Sequence, residues 1–146
     1  MAKNTIKLKK YLDVNVEYPA NAAITPGNLI ELLSTGKVRK HTAEGGLTLP
    51  MFALEDELQG RDIDTNYAED APVQCWIAQR GEEVYALIAD GEDVSVADKL
   101  ASNGDGTLKV VESDDVPIAI ALEAIDLSGS SGTYPATGFR IKVRIL

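Results

Sequence analysis

The stretch Phe139-Arg140-Ile141-Lys142-Val143-Arg144-Ile145-Leu146 alternates apolar and basic residues almost to the end of the sequence. An alternation of period two is typical of a β-strand that buries one face and exposes the other. The exposed face of this strand would carry Arg140, Lys142 and Arg144. We expect these three side chains to contact an acidic face of a neighbouring copy, as in a homotrimer, and the strand to be built into a sheet.

Composition predicts one domain with an ordinary core. The chain has 146 residues, of which 45% are hydrophobic and 25% charged, values that are typical of a globular protein large enough to bury a core. No apolar run is long enough to span a bilayer, and the lysine-bearing N-terminus lacks the apolar block of a signal peptide. We therefore expect no membrane partner.

Few residues are suited to catalysis or metal binding. Cys75 is the only cysteine, which excludes an intramolecular disulfide framework and a cysteine-rich zinc site. We expect it to be a small buried core residue, and the only histidine, His41, to be an exposed strand residue. The sequence contains no phosphate-loop or dinucleotide-binding motif. It predicts no catalytic residue, no cofactor and no metal ligand, and a carboxylate-only hydrolase is the remaining enzymatic alternative.

An acidic segment has part of the pattern of a calcium loop. Asp62, Asp64 and Asn66 have the spacing of oxygen ligands, but Tyr67 and Val73 stand where such a loop needs glycine and glutamate. We interpret this segment as a solvated acidic loop.

Charge is unevenly distributed along the chain. The net charge of the chain is −9. The first ten residues contribute +4, from four lysines and no acid, and residues 11–146 contribute −13. Residues 44–70 contain eight acids and one base, Arg61. A nucleic-acid reader needs a broad basic surface, so we expect no direct nucleic-acid partner. Two interpretations of the polarity stay open: solubility, or a head-to-tail or arm-to-partner contact between the basic arm and an acidic surface.

Residues 1–18 are predicted to form an extended N-terminal arm, followed by a single β-rich domain over 19–146. In the arm, Ile6 and Leu8 alternate with lysines, and Val14 and Val16 alternate with polar residues until Pro19 ends the run. One short helix is predicted over 25–36, with Thr25 as cap and a proline in the first turn.

The rest of the domain shows strand patterns. Strands are predicted over 38–41, 50–54, 73–79, 84–89, 94–96, 107–111 and 117–125. Spacing and turn chemistry favour a hairpin between 73–79 and 84–89, and the alanine-rich run 117–125 is expected to be buried on both faces. Residues 128–138 are typical of a flexible surface loop.

Four stretches from residue 70 onward resemble a recurrent pattern in small decoration (cement, head-stabilising) proteins of tailed-phage capsids. They are 70–87 (DAPVQCWIAQRGEEVYAL), 94–108 (VSVADKLASNGDGTL), 119–126 (AIALEAID) and 140–145 (RIKVRI). The family usually has a glycine before the aspartate of its GD-x-L turn, and here that position is Ala97.

This resemblance implies a mainly β fold, a small β-barrel or β-sandwich of the β-tulip kind. It implies a structural virion protein that binds the assembled capsid, often as a trimer, and stabilises the head. The partner would be the major capsid protein, and the location the outer capsid surface after synthesis in the host cytoplasm. The residues expected to contact the capsid lie in the arm: Lys3, Ile6, Lys7, Leu8, Lys9 and Lys10.

The alternative function is a receptor- or glycan-binding module of a phage tail. Such a module would need an aromatic-lined groove, for which Trp76, Tyr67 and Tyr134 are the scattered candidates.

Overall fold

The computed structural model describes residues 13–129, 135 and 138–146, and these form a mainly β fold, as predicted. The described residues form twelve strands: β1 (Val14–Pro19), β2 (Ile30–Leu32), β3 (Val38–Lys40), β4 (Met51–Ala53), β5 (Pro72–Ile77), β6 (Glu83–Ile88), β7 (Asp93–Val94), β8 (Lys99–Ser102), β9 (Leu108–Val110), β10 (Ala119–Ala121), β11 (Ile125–Asp126) and β12 (Phe139–Ile145). A single 3-10 turn, Glu57–Gln59, is the helical element of this part of the chain.

The last strand belongs to a closed five-stranded barrel with the order β10-β12-β6-β9-β8, in which β8 also pairs with β10. β12 pairs with β6 along almost its whole length, and with β10 on its other edge. Ile141, Val143 and Ile145 are buried in the barrel core, which confirms the predicted alternation. Phe139, the first apolar residue of the pattern, is instead 38% exposed.

A second sheet, which we call the middle sheet, has the strand order β1-β5-β4. One of its faces packs against the barrel and the other against a β2-β3 hairpin. Phe52 and Trp76 are register partners on the barrel side, where both pack into the barrel core. Cys75 and Ala53 are register partners on the opposite side, in the smaller core beneath the hairpin. The middle sheet therefore contributes alternate residues to both cores.

The predicted helix over 25–36 is wrong. Residues 25–28 form a β-turn instead, in which the amide of Asn28 donates to the carbonyl of Thr25 at 3.0 Å. Pro26 occupies the second position and Gly27, with φ of 94°, the third, which is the arrangement that a type II turn favours. The following residues enter β2, since their apolar side chains cover the middle sheet rather than form a helical stripe.

The Pro26-Gly27 dipeptide is a turn signal, although proline alone is also common in the first turn of a helix. Gly27 also has no room for a side chain, because a Cβ there would lie 3.1 Å from the carbonyl oxygen of Tyr85.

Two further expectations need correction. The arm was predicted to run to residue 18, but residues 14–19 form β1, which pairs with β5 throughout. The predicted hairpin between β5 and β6 does not form, because β5 pairs with β1 and β4 whereas β6 pairs with β12 and β9. The amide of Gly81, in the connecting turn, donates to the carbonyl of Ile145, so the last strand takes the place that β5 would have had.

The burial of Cys75 was predicted correctly. Cys75 is fully buried, and its burial raises the pKa of the thiol to about 12. The expected burial of the alanine-rich run on both faces is wrong: Ala119 and Ala121 are buried between β12 and β8, whereas Ile120 is only partly buried and Glu123 and Ala124 are exposed. The predicted surface loop over 128–138 lies largely outside the described residues.

The turn before β8 has a strained residue. Ala97 stands where the resembling family usually has glycine, and its φ is 77°. A residue with a Cβ is disfavoured in this left-handed region, at a cost of roughly 1–2 kcal/mol. The turn thus keeps a glycine-type backbone although the glycine is absent.

We predict that Ala97→Gly stabilises the protein by about 0.5–1 kcal/mol, since relief of the strain exceeds the entropy that glycine adds to the unfolded chain. Chemical denaturation would measure this difference. The matched control is Ala23→Gly, at another exposed alanine without a positive φ, which we expect to be neutral or destabilising. A loss of stability in the Ala97 variant would contradict the strain argument.

Candidate functional site

The predicted basic face of β12 is divided by the structure. The guanidinium of Arg140 donates from Nη2 to the carbonyls of Pro26, at 3.0 Å, and Ile63, at 2.5 Å. Its Nη1 lies 3.2 Å from Asp64, and only 6% of the side chain is exposed. Arg140 is therefore wrong as an oligomer-contact candidate, because its donors already hold the loop that begins at Pro26 and the acidic loop against the barrel.

Lys142 and Arg144 remain exposed on the outside of the barrel. Arg144 bridges its register partner Glu83 at 2.8 Å, with both side chains about half exposed. Tyr85, the register partner of Lys142, is 55% exposed beside them. These four residues make a mixed, polar surface, so the contact predicted for Lys142 and Arg144 stays a prediction.

An open apolar groove of about 350 Å³ lies where the β2-β3 hairpin meets the middle sheet. Ile30 and Met51 are buried beside it, and Leu32, Leu47 and Leu49 line it with 51%, 81% and 55% of their surface exposed. Exposed large apolar side chains gathered in one groove mark an interaction site more often than scattered ones do. We define these lining residues as the leucine groove: Tyr18, Ile30, Glu31, Leu32, His41, Leu47, Thr48, Leu49, Met51 and Ile77.

A polar network lies at the edge of the leucine groove. His41 is 2% exposed, which overturns the expectation of an exposed strand histidine. Its Nδ1 lies 2.7 Å from the Ser102 hydroxyl, and its Nε2 lies 3.9 Å from Glu31. Glu31 in turn accepts from Arg39 at 2.8 Å and from Thr42 at 3.0 Å. Sequence reasoning missed this network, because Ser102 lies 61 residues after His41 in the chain and Glu31 reaches His41 only through the pairing of β2 with β3.

The Ser102-His41-Glu31 arrangement contains the residue types of a hydrolase triad, but its hydroxyl is enclosed. Ser102 is fully buried, and its oxygen also accepts from the amide of Gly104 at 3.1 Å. A nucleophile must reach a substrate, whereas this hydroxyl joins β8 to the hairpin. Desolvation lowers the pKa of His41, against the opposing effect of the Glu31 carboxylate.

A second buried charge ties two loops to the barrel. Lys109 has 6% of its side chain exposed and lies 2.6 Å from Glu44 and 3.4 Å from Asp115. The hydrogen bond to Glu44 raises the pKa of the lysine, and hydrogen bonds from the amide of Glu112 and from Lys109 lower the pKa of Asp115. The cluster is saturated with internal partners, so we assign it a structural role.

The described ranges contain no group of three or more residues suited to holding a metal ion. In the calcium-like segment, one oxygen of Asp62 accepts from the amide of Asp64 and from the hydroxyl of Thr65. This is a local turn, in agreement with the interpretation of a solvated loop. Among the same described residues, no helix has the length and apolar character needed to cross a membrane.

An aromatic-lined cleft of about 150 Å³ lies where the middle sheet meets the barrel. Phe52, Trp76 and Tyr85 line it together with Glu55 and Arg140. Of the predicted aromatic candidates, Trp76 belongs to this cleft, whereas Tyr67 is buried and donates its hydroxyl to the carbonyl of Leu54. Tyr134 lies outside the described residues.

The predicted capsid-contact residues of the arm also lie outside the described residues, which begin at Asp13. Where they sit therefore stays a prediction.

No protein-family model matches this chain, and no curated protein matches its sequence. Its fold is similar to the crystal structure of the N base of the head fibre protein gp8.5 from bacteriophage phi29, with a TM-score of 0.60. The match covers 92% of this chain and 95% of that chain at 14% sequence identity. At this identity the likeness shows a shared fold.

We predict that Arg140→Ala destabilises the protein by about 2–3 kcal/mol, because it leaves the carbonyls of Pro26 and Ile63 without their charged donor. Lys142→Ala, on the same strand and exposed, is the matched control and should change the free energy of unfolding by less than about 0.5 kcal/mol. Urea denaturation of both variants would measure the difference. Equal, small effects would show that Arg140 does not hold the two loops.

We also predict that His41 makes the fold less stable in acid. Its pKa is lowered below 6.5 in the folded state, so below that pH the unfolded chain binds the proton more readily. Stability from this residue is present above pH 6.5 and falls as the pH drops toward the lowered pKa. Denaturation midpoints from neutral pH to about pH 5 should therefore fall more steeply for the wild type than for His41→Gln. Parallel curves would contradict the assignment.

Proposed function

We propose that this protein is a structural component of a phage head, which binds the outer surface of the assembled capsid as a trimer and stabilises it. The observation that carries the proposal is the match in fold, over 92% of this chain, to the base of a phage head fibre. The resemblance of residues 70–87, 94–108, 119–126 and 140–145 to capsid decoration proteins supports it independently. The major capsid protein would be the partner, and the mechanism binding alone, without catalysis or nucleic acid.

The surface of the described residues suits a binding protein. The side chains that could take part in a reaction are buried and form hydrogen bonds or ion pairs within the protein: Ser102, His41 and Lys109. What remains outside is the leucine groove, the exposed edge of β1 and an acidic loop. An edge strand and an apolar groove are surfaces that recognise extended segments of a partner.

The arm would supply the encounter with the capsid. Its four lysines are the densest positive charge of an otherwise acidic chain, and such charges raise the rate of association with an acidic surface while salt lowers it. Ile6 and Leu8 would add apolar contacts within the capsid-bound assembly, and attachment of three copies would multiply weak contacts into a stable one.

A glycan-binding function is the second candidate, and the aromatic cleft favours it. Trp76 and Tyr85 can stack against a flat ligand, and Glu55 offers a hydrogen-bond acceptor beside them. Trp76 is the only tryptophan, so its fluorescence reports on this cleft directly. A saturable change with host cell-wall sugars, lost in Tyr85→Ala, would favour the second candidate.

For the capsid function, we predict that deletion of residues 1–12 leaves the domain folded but weakens binding to capsids of the encoding phage at least tenfold. Both cores of the described fold are built from residues after 13, whereas the deletion removes the arm's charges and apolar side chains. Co-sedimentation with capsids stripped of the protein would measure the affinity.

Replacing Lys7, Lys9 and Lys10 with Gln should slow association and flatten its salt dependence, with a smaller effect on dissociation. The control is the same number of substitutions at Lys37, Arg80 and Lys99, which lie in the folded body. Failure of the full-length protein to bind such capsids at any salt concentration would refute the capsid function. Unchanged binding after the deletion would place the contact elsewhere, with the acidic loop over 44–70 as the next candidate.

A further inference from the structure

The leucine groove is an incomplete interface. Leu32, Leu47 and Leu49 leave more than half of their surface in water, while Ile30 and Met51 beside them are buried. Removing this exposed apolar surface from water is favourable in proportion to its area, so a segment that covers the three leucines would gain binding free energy. The lining joins Tyr18 of β1, residues of the β2-β3 hairpin, and Ile77 of β5.

The sequence of the arm continues the apolar alternation of β1. In β1, the even-numbered residues Val14, Val16 and Tyr18 point toward the smaller core, and the odd-numbered residues are exposed. The same apolar phase continues upstream at Ile6, Leu8 and Leu12, while Lys7 and Lys9 fall on the opposite phase. An extended segment with this pattern has an apolar face and a basic face.

The exceptions to the apolar phase are the neutral Asn4 and the charged Lys10. Lys10 is the one that needs a counter-charge. It has a counter-charge in the groove, since Glu31 is the acid among the lining residues and a quarter of its side chain is exposed. The arm and the groove therefore agree in hydrophobicity and in charge.

The direction of β1 argues against an arm that occupies the groove of its own copy. β1 starts at Val14, opposite Ile77 at one end of the leucine groove, and runs toward Tyr18. An arm that continued the line of β1 would extend beyond the Ile77 end of the groove instead of along it. To return along the groove, the chain would have to reverse within residues 9–13, Lys-Lys-Tyr-Leu-Asp, which contain no glycine or proline. Twelve extended residues span about 40 Å, which is enough to reach a neighbouring copy.

We propose that the leucine groove receives residues 1–12 of a second copy of this chain, with Ile6 and Leu8 on the exposed leucines and Lys7 and Lys9 directed outward. Each copy gives its arm to one neighbour and receives the arm of another. Such a head-to-tail contact is heterologous, and it closes into a ring when the rotation between successive copies permits closure. A ring of three rests on the proposed function, whereas the contact between arm and groove does not.

A mixing experiment tests the contact with full-length protein and no capsid. One variant carries Ile6→Cys and the other Leu47→Cys, and the native Cys75 is too buried to react in the folded state. The two variants are mixed, treated with a mild oxidant and run on a non-reducing gel. We expect a covalent heterodimer in the mixture that neither variant reproduces alone. Leu8→Cys in place of Ile6→Cys covers a shift of two residues.

The matched control is Leu58→Cys, because Leu58 is 84% exposed but lies away from the leucine groove. It should not cross-link to either arm variant above the background of random collision. A cross-link that forms only within a single chain carrying both cysteines would show that the arm binds its own groove, and overturns the proposal. Absence of a cross-link with both arm positions overturns it as well.

A second measurement separates this proposal from the capsid function. Leu47→Ser with Leu49→Ser should at least halve the cross-linking of Leu8→Cys to a cysteine placed at Leu32, whereas Leu58→Ser should leave it unchanged. Cross-linking that survives the groove substitutions contradicts the proposal. Binding of such variants to capsids is scored separately, so the arm-groove contact can fail while the capsid function stands, and the reverse.

Discussion

The structure depends on one buried segment, residues 24–30. This segment passes between the barrel, the middle sheet and the hairpin, and it forms backbone hydrogen bonds with all three. Every residue of the segment is buried. Gly27 donates to Ala53 of the middle sheet at 2.7 Å, and Leu29 donates to Gly106 of the barrel at 2.8 Å. The carbonyl of Leu29 accepts from His41, which follows β3. Because buried backbone groups must find partners, this segment fixes the spacing between barrel, middle sheet and hairpin.

Arg140 completes the same connection with a side chain. Its guanidinium donates to the carbonyl of Pro26, so the segment over 24–30 covers the outer face of β12 at Arg140. A charged group can be buried at low cost when its donors are all used and a carboxylate lies nearby. The acidic loop provides that carboxylate through Asp64. This explains why a residue with the alternation of an exposed position is almost entirely enclosed.

The sequence predicted the parts of the fold that depend on local pattern. The alternation of β12, the burial of Cys75 and the short strands from residue 38 onward follow from period and hydrophobicity, and the structure confirms them. The pairing of β5 and β6 failed, because strand pairing is decided by distant segments that compete for the same edge. The helix failed because Pro26-Gly27 is compatible with both a helix start and a turn, and burial between layers decided for the turn.

The candidate surfaces were less predictable than the fold, for a related reason. His41 is buried because Ser102 and Glu31 come from other strands, and no local pattern links these three positions. The leucine groove combines residues from β1 to β5 that are unremarkable one by one. The uneven charge, with a basic arm and an acidic body, could be read from the sequence. The apolar groove became visible only in the structure, and the alternating arm offers it an apolar face.

The pairing of β12 with β6 has a consequence for how the chain folds. Its partner β6 lies far upstream, so that Arg144 and Glu83 meet although 61 residues separate them. The barrel can close only after this long loop has been brought together, and loop closure costs entropy before any pairing returns it. Proteins dominated by such non-local pairing fold on timescales of milliseconds to seconds. Until then the apolar edges of β6 and β10 stay open, and this interval is when the chain is most prone to aggregate.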